Sequence, residues 1–509
     1  MSMFCPVSKK KLNNLCRCFS SATRRQPYEP IRIQQHEEGG DLTFSVSELS
    51  LHGKAALAHF DPYYTEAYGT VGWRSMRIAL LMPPKKALLF NRYFPNVTLS
   101  SAIPSKFHSI LPGTDFIRTL GKYQNSSLPE EDVVVHNDDD VDENPPTIHE
   151  VVSTMEKSAP RRQFLTRYNP SDDAMSATNL NEFIPSTELI SENEMYDYRI
   201  TRDPFGLQST LNVITEKIDL PTGLCIKCAP PGRLVSIPEP LYVNGQFSFH
   251  KMDLGSAVTV LALNLKKNDN MLNMSTFSGT KSVIALQTGL LNRLTCVVRS
   301  PSRTTHVQQI TETFQLPENT TTEAEIRTKI DVICSNDLSN YLSPTKVDEN
   351  FIFNKILVNV PCSADRYAIT SDAVHVFSPG KINARTGLSK KQLNLLQHAM
   401  SLCPPNGDVV YSTSTLSPGQ NQELIQSFIV NNSNIGNFAL VNMKPLYNLL
   451  NSCYSKLGIK VIPIHLPLFD NRSISDKSKS SDICHALLIV PSISCNYGPT
   501  FIAKFRRLT

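Results

Sequence analysis

The feature that most restricts the fold is an alternation of short apolar strands with helical segments, sustained from residue 256 to residue 411. Residues 256–265 read as a buried or amphipathic helix, 271–274 as a strand, 281–286 as the start of a helix and 295–298 as a strand. Residues 303–314 then read as a helix, 331–334 and 355–360 as strands, 390–403 as a long helix and 409–411 as a strand. Neighbouring parallel strands need crossover connections of about a dozen or more residues, and helices of this length supply them. The pattern therefore predicts an α/β protein with a doubly wound, mostly parallel, Rossmann-like sheet. Its ligands belong at the C-terminal ends of the strands.

Two places along the chain have the chemistry for such a position. The first is the turn after strand 271–274, which runs Asn273-Met-Ser-Thr-Phe-Ser-Gly-Thr-Lys-Ser282. Small side chains at a strand-to-helix turn let backbone amides approach a ligand closely, although Gly279 is a single glycine and a poor version of that signal. The second is the pair of strand ends Val358-Asn-Val-Pro-Cys362 and Asp408-Val-Val-Tyr-Ser-Thr-Ser-Thr-Leu416, which a doubly wound sheet brings side by side. A third segment, Cys228-Ala-Pro-Pro-Gly-Arg233, has the composition of a cofactor turn but precedes helix 256–265 and lacks the following strand order. It is set aside.

Ahead of the alternating region the chain changes character twice. Residues 29–122 read as an N-terminal helical region, with a helix at 73–81 that places Met76, Leu80 and Leu81 on one face. Residues 123–200 carry Asp138-Asp-Asp-Val-Asp-Glu143 and little apolar content, which predicts a disordered acidic insertion. Residues 201–509 form the expected sheet domain. The first 28 residues contain Lys9, Lys10, Lys11, Arg17, Arg24 and Arg25, a Ser-rich stretch and no acid. That composition predicts a mitochondrial transit peptide and a matrix protein, the alternative being a basic RNA-binding tail. Losing those six cations takes the formal charge from +4 to −2. Any nucleic-acid surface must then be a local patch.

Basic pairs that offer such patches are Arg74 with Arg77, Lys85-Lys86, Arg161-Arg162, Lys266-Lys267, Lys390-Lys391 and Arg506-Arg507. Each alone is more often solvated surface than a phosphate clamp. Cys225 and Cys228 form one C-x-x-C, but no second pair follows at zinc spacing, so they read as structural and no metal is expected. No apolar run approaches the ~18 residues of a membrane span, and no membrane role is expected.

In this order the motifs resemble the Sun family of RNA cytosine-5 methyltransferases, and within it the mitochondrial ribosomal RNA branch. The resemblance is carried by Phe60-Asp61 through Trp73-Arg-Ser-Met-Arg77, Ala285-Leu-Gln-Thr-Gly289, Ser300-Pro-Ser-Arg303 and Val358 to Cys362 with Asp365-Arg366. It continues in Val409 to Leu416, Asn496-Tyr-Gly-Pro499 and Phe505-Arg-Arg-Leu-Thr509. It implies an S-adenosylmethionine-dependent methyltransferase fold with a helical RNA- or partner-binding region ahead of it.

The resemblance also assigns roles. A cysteine in a Thr-Cys motif attacks the base, and a second cysteine in a Pro-Cys motif assists release. Here the release position is Cys362 and the attacking position is Ser414. A hydroxyl is a far weaker nucleophile than a thiolate unless a base activates it. On the cofactor side the resemblance assigns Asn273, Ser275, Ser278, Gly279, Thr280, Lys281, Val298, Arg303, Asn336 and Asn359. Of these, Asn273, Val298, Asn336 and Asn359 stand where the family usually carries acids, the last of which also holds the target base. Arg74, Arg77, Asp365 and Arg366 are the assigned RNA contacts. The implied function is mitochondrial ribosomal RNA binding in ribosome assembly, with catalysis weakened or lost and S-adenosylmethionine binding doubtful. An active cytosine methyltransferase that uses Cys362 is the alternative. A helical-repeat protein of the mitochondrial transcription-terminator type is the implied partner.

Overall fold

A computed structural model describes residues 49–94, 108–109, 212–232, 237–317, 327–335, 352–431, 438–454, 458–466 and 483–508. The leader 1–28, the acidic stretch 123–200, Arg161, Arg162 and Asn336 lie outside them.

In chain order the elements that build the site are α1 (Leu51–Leu81), β1 (Ala87–Phe90), β2 (Asn212–Ile214), β3 (Ile226–Cys228), β4 (Phe249–Met252), α2 (Leu254–Ala262), β5 (Asp269–Met274) and α3 (Thr280–Gln287). They continue with β6 (Leu291–Val298), α4 (Pro301–Glu312), β7 (Lys329–Cys334), β8 (Lys355–Asn359), α5 (Asp365–Thr370), α6 (Leu388–Leu402), β9 (Asp408–Thr413) and α7 (Gln422–Asn431). The last are β10 (Phe438–Val441), α8 (Lys444–Tyr454), β11 (Lys460–Ile464), β12 (Ala486–Val490) and β13 (Thr500–Arg507).

The main sheet runs β7-β6-β5-β8-β9-β13-β10-β2. Strands β5 to β9 are all parallel, and β13 enters antiparallel between β9 and β10. The doubly wound sheet is as expected; the antiparallel C-terminal strand and its neighbours were not read from the pattern. Burial explains why the parallel strands were legible. Leu272, Met274, Ile356, Val358, Val409 and Tyr411 point to one core, while Met271, Leu294, Cys296, Val298, Leu357 and Val410 point to the other. A sheet covered on both faces makes its strands continuously apolar.

Helix α1 covers the first of these faces. Ser50 caps it, its hydroxyl accepting from Gly53 N at 3.1 Å, and Gly69 breaks it at φ 71°. The helix expected at 73–81 is the segment after that break, and Met76, Leu80 and Leu81 are buried as expected. Strand β1 pairs antiparallel with β3 and β4. Of the expected N-terminal region 29–122, α1 and β1 pack into the same unit as the sheet, because both find their burial partners beyond residue 200. Cys228 ends an antiparallel strand in that small sheet, and no helix follows it within the described residues to 232, so it opens no strand-to-helix cofactor turn there.

Candidate functional site

Strand β5 leads to β6 and β7 on one side of the sheet, and β8 leads to β9 on the other. The crevice at the C-terminal ends of β5 and β8 is thus the topological switch point, where open α/β sheets bind ligands. Register aligns its walls: Val358 pairs with Met274 on one side and Asn359 with Ser412 on the other.

Four of the expected residues converge there. Lys281, in the first turn of α3, donates from Nζ to Asn359 Oδ1 at 2.6 Å. Cys362 Sγ accepts from the backbone N of Ser414 at 3.3 Å. Burial pushes the Cys362 thiol up, against the opposing pull of the Ser414 and Ala364 N–H groups and the Lys281 charge. Burial also brings Lys281 down to about 8, with Cys362 and Asp253 opposing. The Ser414 side chain is exposed, and its hydroxyl has no hydrogen-bond partner among the described residues. A protonated thiol and an unassisted hydroxyl therefore share the crevice with a lysine close to its titration point.

The turn that carries Lys281 is tightly folded. Ser275 at φ 58° and Gly279 at φ 75° both lie in the left-handed region, and a Cβ on Gly279 would meet Ile310 Cγ2 at 2.9 Å. Ser278 and Thr280 share a hydrogen bond of 3.1 Å, and Thr280 meets His250 Nε2 at 3.1 Å. Burial holds His250 down to about 4, so that ring is neutral. Asn273 donates from Nδ2 to Ser282 Oγ at 2.8 Å, while its Oδ1 is buried without a partner. Val298 is packed into the second core at 0% exposure, which corrects its assignment as a ligand contact, since an enclosed alkyl group offers no acceptor. Arg303 lays its guanidinium 3.5 Å from the centroid of the exposed Phe277 ring, bridging the turn to the start of α4.

The assigned RNA contacts need correction. Asp365 is fully buried and accepts from Tyr64 Oη at 2.8 Å and from Ser363 Oγ, Thr415 Oγ1 and Leu416 N at 2.7 Å each. Arg366 spends its fork on the carbonyls of Ala79, Leu80, Met82 and Gly498 and on Asn496 Oδ1. Arg77 is buried against Asp61, Nε to Oδ1 at 2.7 Å. Interior partners already use these charges. Of the four, Arg74 faces solvent.

What the sequence reading missed is the polar frame behind the crevice. Gln392 donates to Pro361 O at 2.9 Å and to Gln420 Oε1 at 3.0 Å, and Gln420 Oε1 also accepts from Ser363 N at 3.0 Å. With Asp365 and Tyr64 this frame ties the loops after β8 and β9 to each other, to α1 and to α6. The hydroxyl run Ser412 to Thr415 was the available signal; Gln392 and Gln420, distant along the chain, carried none. Elsewhere, burial pushes the Cys225 and Cys228 thiols up to about 11 and about 12, which suits packing rather than ligation. No group of three or more metal-ligating side chains occurs among the described residues. Lys85, expected as part of a basic pair, is buried and bonded to the carbonyls of Pro230 and Ser494.

Residues 260–452, which span this crevice, match the family model described as 16S rRNA methyltransferase RsmB/F. Over that span the chain is similar to the Sun family of RNA cytosine-5 methyltransferases. It is 26% identical over 471 residues to the Caenorhabditis elegans 5-cytosine rRNA methyltransferase nsun-4, covering 89% of this chain and 91% of that one. It is 27% identical over 280 residues to the bovine 5-cytosine rRNA methyltransferase NSUN4, covering 55% and 63%. Against the mouse mitochondrial tRNA (cytosine(34)-C(5))-methyltransferase it is 25% identical over 286 residues, covering 56% and 70%. A solved methyltransferase homologue from Pyrococcus horikoshii aligns at a TM-score of 0.43 and 14% identity, over 90% of this chain and 99% of that one. The resemblance assigns Cys362 to the Pro-Cys position and Ser414 to the position of the attacking thiol.

Proposed function

We propose that this Sun-family member binds mitochondrial ribosomal RNA during ribosome assembly in the matrix and has lost methyl transfer. The observation that carries the reading is the pairing in the crevice: Ser414 stands where a nucleophilic thiol is needed and has no base, and Asn359 stands where an acid is needed and is held by Lys281. A hydroxyl without a base remains protonated at neutral pH and does not attack a pyrimidine ring. Cys362 is no ready substitute, because burial favours its neutral form.

The cofactor side points the same way. S-adenosylmethionine presents a ribose diol and an amino acid that need acceptors. The strand ends that face it carry Asn273, Val298 and Asn359, of which the first keeps one unpartnered but buried acceptor, the second is sealed in the core and the third is held by Lys281. Phe277 with Arg303 above it adds bulk where a cofactor turn needs small side chains. The donor set does not fit the cofactor. A mitochondrial address is supported by the basic leader and by the mouse mitochondrial relative. A helical-repeat protein of the transcription-terminator type is the proposed partner.

Titration calorimetry of the full chain with S-adenosylmethionine is expected to show no heat of binding, and micromolar affinity overturns the cofactor part. Bisulfite sequencing of mitochondrial small-subunit RNA from cells lacking the protein is expected to show every methylated cytosine retained. Loss of a mark overturns the reading in favour of catalysis through Cys362. In that event Cys362→Ala abolishes the mark and Ser414→Ala does not.

A further inference from the structure

The side chain at 359 sits on the floor of the crevice, three residues before Cys362 and paired in register with Ser412, two residues before Ser414. Any base seated against Cys362 and Ser414 meets it. Its amide orientation is dictated by its neighbour. A lysine ammonium has three donors and no acceptor, so the group that faces Lys281 Nζ at 2.6 Å must be the amide oxygen. The Nδ2 protons then point away from Lys281. Asn359 is half-buried, and Nδ2 has no hydrogen-bond acceptor among the described residues.

A carboxylate at this position offers acceptors only; the Lys281-held amide offers donors. That difference decides which pyrimidine edge the floor can satisfy. Cytosine carries an amino group on C4, which needs an acceptor, and set against Nδ2 it places donor against donor. Uracil carries a carbonyl on C4, which accepts from Nδ2, and its N3–H finds the second lone pair of Oδ1. A buried polar group left unpaired loses its hydration without replacement, and that loss, more than any gained contact, sets discrimination between such close analogues. Bases taken out of a stack are read in this way, by hydrogen bonds to their Watson–Crick edge.

From this we infer that the crevice is a reader of unpaired uracil rather than cytosine, with Asn359 the specificity-determining residue and Lys281 the residue that positions it. The inference rests on the proposal that the crevice still holds an RNA base; it does not require methyl transfer or cofactor. Arg74, exposed on α1, and the exposed Phe277 ring, carrying the Arg303 guanidinium, supply sequence-tolerant contacts outside the base pocket.

The test is fluorescence anisotropy of the full-length protein with two labelled single-stranded RNAs that differ at one central position, U or C, in the absence of cofactor. The expected result is tighter binding of the uracil RNA by roughly tenfold, the ratio that about 1.4 kcal/mol gives. Asn359→Asp, which restores acceptors while keeping an ion pair with Lys281, is expected to reverse the order. Cys362→Trp, which fills the pocket, is expected to abolish the difference and leave the sequence-independent affinity. Equal affinity for the two RNAs in the wild-type chain, or an order unchanged by Asn359→Asp, overturns the inference and leaves RNA binding standing. Absence of binding to either RNA overturns both.

Discussion

At the scale of single residues the most consequential group is a carboxylate that sequence reasoning placed on the surface. Asp365 lies next to the Pro-Cys motif, where a charged residue invites an RNA contact, yet it receives four donors inside the protein. Burial raises its pKa, and the four hydrogen bonds oppose that rise. A carboxylate pushed up in this way holds its proton more tightly when folded than when unfolded. Its ionisation therefore costs stability, and stability from this group falls as pH rises through the raised value. Its two oxygens organise both loops at once. Asp365→Asn turns an amide nitrogen toward donors and should destabilise the protein by about 1–3 kcal/mol, while Tyr64→Phe, which removes one of the four, should cost about 1 kcal/mol. Urea midpoints read at neutral pH check both values. An Asp365→Asn variant as stable as the wild type would show that the frame does not depend on the charge.

At the scale of elements, the opposite end of the central strands holds a second buried network. Asp408 at the start of β9 accepts from Lys355 Nζ of β8 at 2.6 Å and from Arg506 Nε of β13 at 2.7 Å, and it lies 3.1 Å from Lys504 Nζ. Glu216, just past β2, pairs with both Lys504 and Arg506. Here burial, the largest effect, raises the carboxyl, but the three cations overcome it and hold Asp408 near 2 against an ordinary 3.8. The folded pKa is depressed, so the stabilisation is complete above 3.8 and is lost as pH falls through about 2. That interval corresponds to about 2 kcal/mol. Asp408→Asn should remove this pH dependence and cost about 3–5 kcal/mol by leaving buried cations unpaired, measurable as the difference between unfolding free energies at pH 4 and pH 2. The same network explains why Arg506-Arg507 reads from the sequence as a basic surface pair. Nothing local distinguishes an exposed arginine from one whose acids sit 98 and 290 residues away along the chain.

For the whole molecule, the parallel half of the sheet was legible and the rest was not, for a physical reason. Strands β5, β6, β8 and β9 are mostly buried, so apolar runs mark them, whereas β11, β12 and β13 join the sheet by antiparallel pairings that no alternation of strand and helix announces. The converging residues Lys281, Asn359, Cys362 and Ser414 were found because they follow strand ends. Arg366 was misread because its partners come from both ends of the chain. Its guanidinium gathers the last carbonyls of α1, at Ala79, Leu80 and Met82, with Asn496 and Gly498 ahead of β13, and so joins the first helix to the final strand. A lysine carries the charge but not the fork. Arg366→Lys should therefore lower global stability by about 2–3 kcal/mol, as expected for lost charge-assisted hydrogen bonds. Below its own midpoint it should leave the salt dependence of RNA binding unchanged. Arg74→Ala should do the reverse: stability within about 0.5 kcal/mol of wild type, as for an exposed side chain, and a salt slope shallower by roughly one phosphate contact. Measured together, the two variants separate the arginine that meets RNA from the one that closes the fold. A shallower slope for Arg366→Lys would return Arg366 to the RNA surface.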